Sequence, residues 1–234
     1  MNRIGLGCVA EFLGTFALVF FGAGAAVMGY LSPANGGLLP VALAHGFALI
    51  VFVTAAQYLS GGQFNPAVSL AVLVAGKQSP KQAAAFVGVQ LLAAVCAVGM
   101  LVLLLGRPAT DNAVVMHGAT IGSLTKDGSA WSVYGVETLT TFALVFVVLA
   151  CLVDERAQKL GGLPVGIVVM MCIFFAGPLT GASMNPARTF GPALYGHWNM
   201  FGVYLMAHLT GAIAAAALWK LVYSQQPLPE FKGS

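Results

Sequence analysis

"GGQFNPAVSLAV", residues 61–72, joins two apolar runs, and at its centre Asn65-Pro66-Ala67 has the form of a helix start. Asparagine is a strong N-cap residue and proline is favoured at the first helical position, so the tripeptide opens a helix at Pro66. About ten residues follow before Gly76-Lys77, and at about 1.5 Å per residue such a helix covers roughly 15 Å, half of a hydrocarbon layer of about 30 Å. The same tripeptide returns as Asn185-Pro186-Ala187 in "GASMNPARTFGP", residues 181–192, again with a short run behind it, ending at Gly196-His197. One Asn-Pro-Ala is a common turn; two, each opening a half-span, need a common explanation.

The rest of the chain supplies the setting. Of its 234 residues 59% are hydrophobic and 7% are charged, against about 25% charged in soluble domains, and the mean hydropathy is +0.90. This is a lipid-embedded composition. A helix needs about 20 apolar residues to cross a bilayer, and low-charge stretches near 8–30, 39–58, 82–105, 132–153, 162–177 and 200–223 supply six spans, the fifth of them short. The first follows a lone Arg3 without a cleavage signature, so it reads as a retained helix rather than a signal peptide. Nothing is long enough to form a separate soluble catalytic domain, and no nucleophile and base pair or HExxH set is found, so no enzyme and no catalytic residue is expected. Cys8, Cys96, Cys151 and Cys172 all lie in apolar spans without CxxC spacing, so no metal and no cofactor is expected. The net charge of +3 is small and suggests no nucleic-acid partner.

The chain contains itself twice. "EFLGTFALVF" at 11–20 matches "ETLTTFALVF" at 137–146; "LPV" recurs from 39 to 163, and Asn-Pro-Ala from 65 to 185, so the landmarks keep their order. Each copy holds three spans, an odd number, so the second enters the membrane from the opposite face and the two are related by an in-plane pseudo-two-fold axis. The expected fold is an all-α membrane protein of six transmembrane helices and two re-entrant half-helices in an inverted 3+3 repeat. The expected layout is one channel domain over 1–234: repeat 1 about 4–105, an extracellular connecting loop about 106–131, repeat 2 about 132–223, and a disordered tail about 224–234. Lys and Arg in short loops bias orientation. Arg3, Lys77, Lys81, Arg156, Lys159, Lys220 and Lys232 fall on the side of the termini, against Arg107, Lys126 and Arg188 opposite, so both termini are expected in the cytoplasm.

Non-helical backbone at membrane depth is tolerated only inside protein or around a watery cavity. The Gly61-Gly62 and Gly181-Ala182 approaches must therefore re-enter and line something, and inversion brings Asn65 and Asn185 together at its centre.

Through "GGQFNPAV", "SMNPAR", the repeated Glu-containing first helices and six spans, the sequence resembles the aquaporin (major intrinsic protein) family over essentially its whole length. The resemblance implies a passive water channel of prokaryotic type in a lipid bilayer, a bacterial cell membrane by that reading, assembled as a homotetramer. In such a pore two half-helices aim their positive ends at the centre. The Asn65 and Asn185 amides donate to a passing water's oxygen, so that protons and ions are refused. Glu11 and Glu137 are ionisable groups inside apolar spans, where bracing, a proton relay or exposure at the membrane edge are all open readings. The family's equivalents brace the re-entrant loops, and Gln90 is expected to brace likewise.

The resemblance also implies an extracellular constriction. Arg188 follows the second Asn-Pro-Ala, and the family's spacing adds His45, Ile173 and Ala182. His45 by itself reads equally as a satisfied core histidine. The set departs from the common water-specific pattern, which has an aromatic ring opposite the Arg and a His where Ile173 stands, and is similar to that of plant tonoplast intrinsic proteins. A wider opening with one fewer hydrogen-bonding group favours small neutral solutes beside water: ammonia, then hydrogen peroxide and urea. Glycerol is the alternative: Thr189 and Ala193 stand where glycerol facilitators carry Asp and a bulky basic residue, whereas Leu205 after Tyr204 leans towards them. A coupled transporter would share the inverted repeats but needs a coupling-ion site, and apart from the paired glutamates no midplane acids are present. His117 in the connecting loop is either a solvated residue or a gate reaching Arg188. His197 beside Trp198 suits an interfacial anchor, and His208 stands where the family commonly has Pro, with no role legible.

Overall fold

The structure, a computed structural model, describes residues 3–107 and 118–223. His117, the expected loop gate, and the tail 224–234, expected to be disordered, lie outside the described residues.

Nine helices make up the described residues: α1 (Arg3–Leu31), α2 (Leu38–Ala56), α3 (Pro66–Val74), α4 (Pro80–Leu105), α5 (Ser123–Lys126), α6 (Ala130–Val148), α7 (Leu163–Thr180), α8 (Pro186–Ala193) and α9 (Phe201–Tyr223), with a 3₁₀ turn at Pro33–Asn35. A π-helical turn at Leu149–Val153 prolongs α6. Six of these segments, α1, α2, α4, α6 with its π turn, α7 and α9, are long and apolar enough to cross a membrane. The shortest, α7, has 18 residues. Helices α3 and α8 are the half-spans, 9 and 8 residues long.

Local chemistry sets the ends. The Asn65 side chain accepts from Ala67 N–H and the Asn185 side chain from Ala187 and Arg188 N–H, each with proline in the first turn. Ser79 caps α4 through Gln82 N–H, ahead of Pro80. Helix α7 stops at Gly181, whose φ of +81° is in the left-handed region. Glycine is required there for a second reason: a Cβ would come within 2.6 Å of Ile121 N and 2.7 Å of Thr120 Cα.

Packing follows the repeat. Helix α1 packs on α2 and α4, α6 packs on α7 and α9, and α2 meets α7 across the two halves. The half-helices exchange partners: α3 packs on α9 of the second half, and α8 packs on α4 of the first. Small residues allow the close approaches, as at Gly14, where a Cβ would lie 2.1 Å from the Phe64 ring. Large apolar side chains such as Leu13, Val51, Leu103, Leu139, Phe175 and Leu221 point outward, the inverse of a soluble protein and the arrangement lipid requires.

The connecting loop does more than return the chain. Thr120 and Thr125 are buried, α5 packs on α6 and α7, and Gly118 lies against Ala23 so closely that a Cβ would come within 2.5 Å. Its run of small and polar residues had suggested only a connection.

Candidate functional site

The two re-entrant segments meet end to end in the middle of the bundle. Asn65 Nδ2 donates to Met184 O at 2.8 Å, and Asn185 Nδ2 donates to Phe64 O at 2.9 Å. Each Oδ1 is engaged by its own helix, accepting from Ala67 N–H at 2.9 Å and from Ala187 N–H at 2.9 Å. An amide nitrogen carries two hydrogens, so each Asn retains a second N–H beside the cavity that both residues line. Carbonyls of Phe64 and Met184 face the opposing amide because both residues adopt left-handed backbone, φ +50° and +53°. Such angles cost a non-glycine residue roughly 1–2 kcal/mol and persist only where surroundings enforce them.

Two buried carboxylates supply that enforcement. Glu11 accepts from Gln63 N–H at 2.8 Å and from Phe64 N–H at 2.6 Å. Glu137 accepts from Ser183 N–H at 3.0 Å and Met184 N–H at 2.9 Å. A hydroxyl joins each, Ser60 on Glu11 and Thr180 on Glu137, the latter at 2.6 Å. The same hydroxyl oxygens accept from Gly62 N–H at 3.1 Å and Ala182 N–H at 3.2 Å. The last span of each half adds a side-chain donor: Gln90 Nε2 to Glu11 at 2.8 Å, and His208 Nε2 to Glu137 at 3.1 Å. Further along, Ser69 donates to Gln63 at 2.6 Å, and Ser183 and Thr189 share a 2.5 Å hydrogen bond. The second half thus repeats the first nearly bond for bond.

Sequence reasoning had no role for His208 and did not single out Ser60, Thr180, Gln63 or Ser183. The signal was available, since Ser60 and Thr180 share the offset of the two Asn-Pro-Ala motifs and Gln90 and His208 keep almost the same one. Identity hid it: none of these pairs repeats the same residue type.

Towards one end of the cavity lie His45, Ile173, Ala182 and Arg188, all buried. Arg188 Nε donates to His45 Nε2 at 3.3 Å. His45 Nδ1 lies 2.8 Å from Val41 O, an atom that only accepts, so Nδ1 carries the proton and Nε2 the lone pair. The imidazole is therefore neutral and fixes the guanidinium's orientation. It fits because Gly22 faces it, where a Cβ would come within 2.4 Å of the ring. Arg188 Nη1 is buried without a partner. Ala182 has φ +46°, another non-glycine residue in the left-handed region.

The cavity volume is about 20 Å³, and a water needs roughly 10–15 Å³ on this measure, so the space holds water only in single file. Leu18, Leu49, Val68, Leu144, Val165 and Val169 make its remaining wall largely apolar. A wider cavity of about 610 Å³ shares Ile173 and Arg188 with it, and another of about 270 Å³ shares Gln63 and Val148. The narrow cavity thus shares lining residues with a wider one beside Arg188 and with another beside Gln63. No cluster of metal-ligating side chains occurs among the described residues.

The profile of the major intrinsic protein family matches residues 5–219. Aquaporin NIP1-1 of Zea mays is 36% identical over 229 residues, covering 97% of this chain and 78% of that protein. Aquaporin TIP4-4 of Zea mays is 38% identical, covering 95% and 92%, and Aquaporin AqpM of Methanothermobacter thermautotrophicus is 34% identical, covering 93% and 97%. Among solved structures, the aquaglyceroporin from Plasmodium falciparum superposes with a TM-score of 0.83 at 24% identity, covering 94% of this chain and 96% of that one, which establishes the shared fold. This chain belongs to the major intrinsic protein family, the aquaporins, as an integral multi-pass membrane channel rather than an enzyme.

Proposed function

We propose that the channel conducts water in single file together with small neutral solutes, ammonia foremost and hydrogen peroxide and urea behind it, and refuses protons and ions. The observation that carries this reading is the convergence of the Asn65 and Asn185 amides on a cavity of about 20 Å³. Two half-helix N-termini add a positive potential of about half an elementary charge each. A water there turns its oxygen to the amide N–H groups and both hydrogens away, so it cannot relay a proton between its neighbours. A cation would meet positive potential without its hydration shell.

His45, Ile173, Ala182 and Arg188 form the selectivity constriction in this reading. Arg188 Nη1 offers a donor to an acceptor-bearing solute, Ile173 offers no polar atom, and Ala182 leaves room beside it. Glycerol is the second reading, favoured by the small Ala182 and the long apolar wall. The excess of Lys and Arg on one side supports cytoplasmic termini, and the outward apolar side chains suit lipid and the neighbours of a homotetramer. Stopped-flow light scattering on proteoliposomes tests the reading. Fast water and ammonia with slow glycerol is the expected result; fast glycerol favours the alternative, and flux no greater than through empty liposomes overturns both.

A further inference from the structure

We propose that His208 is a positioning residue for the outer constriction, holding Glu137 in the orientation that shapes the backbone at Ala182. The proposal rests on the reading of His45, Ile173, Ala182 and Arg188 as that constriction.

Glu137 is fully buried and receives four donors, two to each oxygen: Thr180 Oγ1 and Ser183 N–H on Oε1, His208 Nε2 and Met184 N–H on Oε2. Three of these donors come from the segment 180–184, which brackets Ala182. His208 on α9 is the one donor from outside that segment, so it alone among the four ties the carboxylate to α9. Without it, the carboxylate and the loop it grips can shift together. Ala182 and Met184 then relax from φ +46° and +53° towards ordinary angles, and the backbone opposite Arg188 and His45 moves with them. Tyr204, one turn earlier on α9, makes a second tie, donating to Thr180 O and meeting Thr125 Oγ1 at 2.8 Å.

Two features separate His208 from a space-filling residue. It sits where the other half has Gln90, which donates to Glu11 Oε2 in the same manner. It is also fully buried with Nδ1 unpartnered. An apolar side chain would avoid that unsatisfied nitrogen, so the residue is accounted for by the bond its other nitrogen makes.

The test compares water-to-glycerol permeability ratios in proteoliposomes for the unmodified protein, His208→Gln, His208→Leu, His208→Met and, as a control on the constriction, Arg188→Val. His208→Gln restores a donor and is expected to keep the ratio. The two non-donor variants, when folded and monodisperse, are expected to lower it by about tenfold or more, tenfold being the equilibrium equivalent of a hydrogen bond at the weak end of those made to charged groups. A ratio kept by both non-donor variants, or lost equally in His208→Gln, overturns the proposal. A ratio unchanged in Arg188→Val overturns the constriction reading itself, and the proposal with it. Should neither non-donor variant fold, ¹⁵N NMR of histidine-labelled protein decides, with the His208 signal assigned by its loss in His208→Gln. A protonated Nε2 supports the bond to Glu137, and a neutral ring protonated at Nδ1 overturns it.

Discussion

The His45 and Arg188 pair is a division of labour between two nitrogens of one ring. Nδ1–H is spent on Val41 O and Nε2 receives Arg188 Nε, so the ring offers the passage a wall rather than a donor. His45→Phe keeps an aromatic ring, adds bulk against Gly22 and releases Arg188 Nε. It is expected to lower ammonia and urea permeability more than water permeability in stopped-flow assays, and an equal loss in both would place the constriction elsewhere. Arg188→Val removes the one charged side chain among the described residues that line that end. Glycerol or monovalent cations are then expected to enter, measured as flux in the same liposomes, and an unchanged profile counts against the assignment. Arg188 could be read from its place after Asn-Pro-Ala, but the tautomer of His45 could not, because it depends on a carbonyl one turn back and on Gly22 of another helix.

At the scale of elements, the half-helices are held by carboxylates rather than by their own length, since helices of 9 and 8 residues have little independent stability. Glu11→Gln replaces two acceptor oxygens by one and sets an NH₂ group against N–H donors. It is expected to destabilise the protein by about 3 kcal/mol or more, lowering the thermal midpoint in detergent by roughly 10 °C; an unchanged midpoint would mean that the loop holds itself. A second tie lies at the membrane edge. Asp154, just beyond the π turn, accepts from Arg156 Nε at 2.8 Å, and Arg156 in turn donates to Tyr223 O at 2.8 Å and covers the Tyr223 ring, joining the ends of α6 and α9. Hydrogen bonding to Arg156 holds the Asp154 carboxyl below its usual value, with Lys77 adding to the effect. A lowered value in the folded state means the pair's contribution is complete above about pH 4 and is lost as pH falls through the lowered value. Asp154→Asn is therefore expected to flatten the thermal midpoint's pH dependence in that acidic window and to leave it unchanged at pH 7 apart from a constant offset. The six spans and both half-helices were legible because hydropathy and an Asn-Pro start are local signals. The π turn, α5 and the Asp154 tie were not, because each is set by what a distant segment brings to it.

The whole molecule is two copies of one plan, and several of the departures from symmetry gather beside Arg188. The first half has Gln90 and a glycine at 62; the second has His208, and Ala182 in the corresponding strained place, beside Arg188. The symmetric bonds build the passage, and the asymmetric residues cluster where solutes would be sorted. Composition and the repeated landmarks made the inverted plan readable from sequence. The asymmetry was harder to see, because Arg188 announces itself by charge whereas His208 acquires meaning only beside Glu137.

The crossed amides carry a consequence for how the protein is made. Asn65 spends a hydrogen on Met184 O and Asn185 spends one on Phe64 O, while α3 and α8 each rest on the other half's last span. The amino-terminal half, emerging first from the ribosome, brings α4, Glu11 and Gln90 to its short helix and the approach to it, but the packing of α3 on α9 and the bond from Asn65 to Met184 O form only when the carboxyl-terminal half arrives. Two fragments divided in the connecting loop are expected to be protease-sensitive near residues 61–65 and 181–185 when made singly, and to regain resistance and water flux when made in the same cell. Resistance in either fragment alone would show that each half seats its own helix. Seating of the two re-entrant ends therefore draws on both halves, since each Asn amide needs the other half's carbonyl.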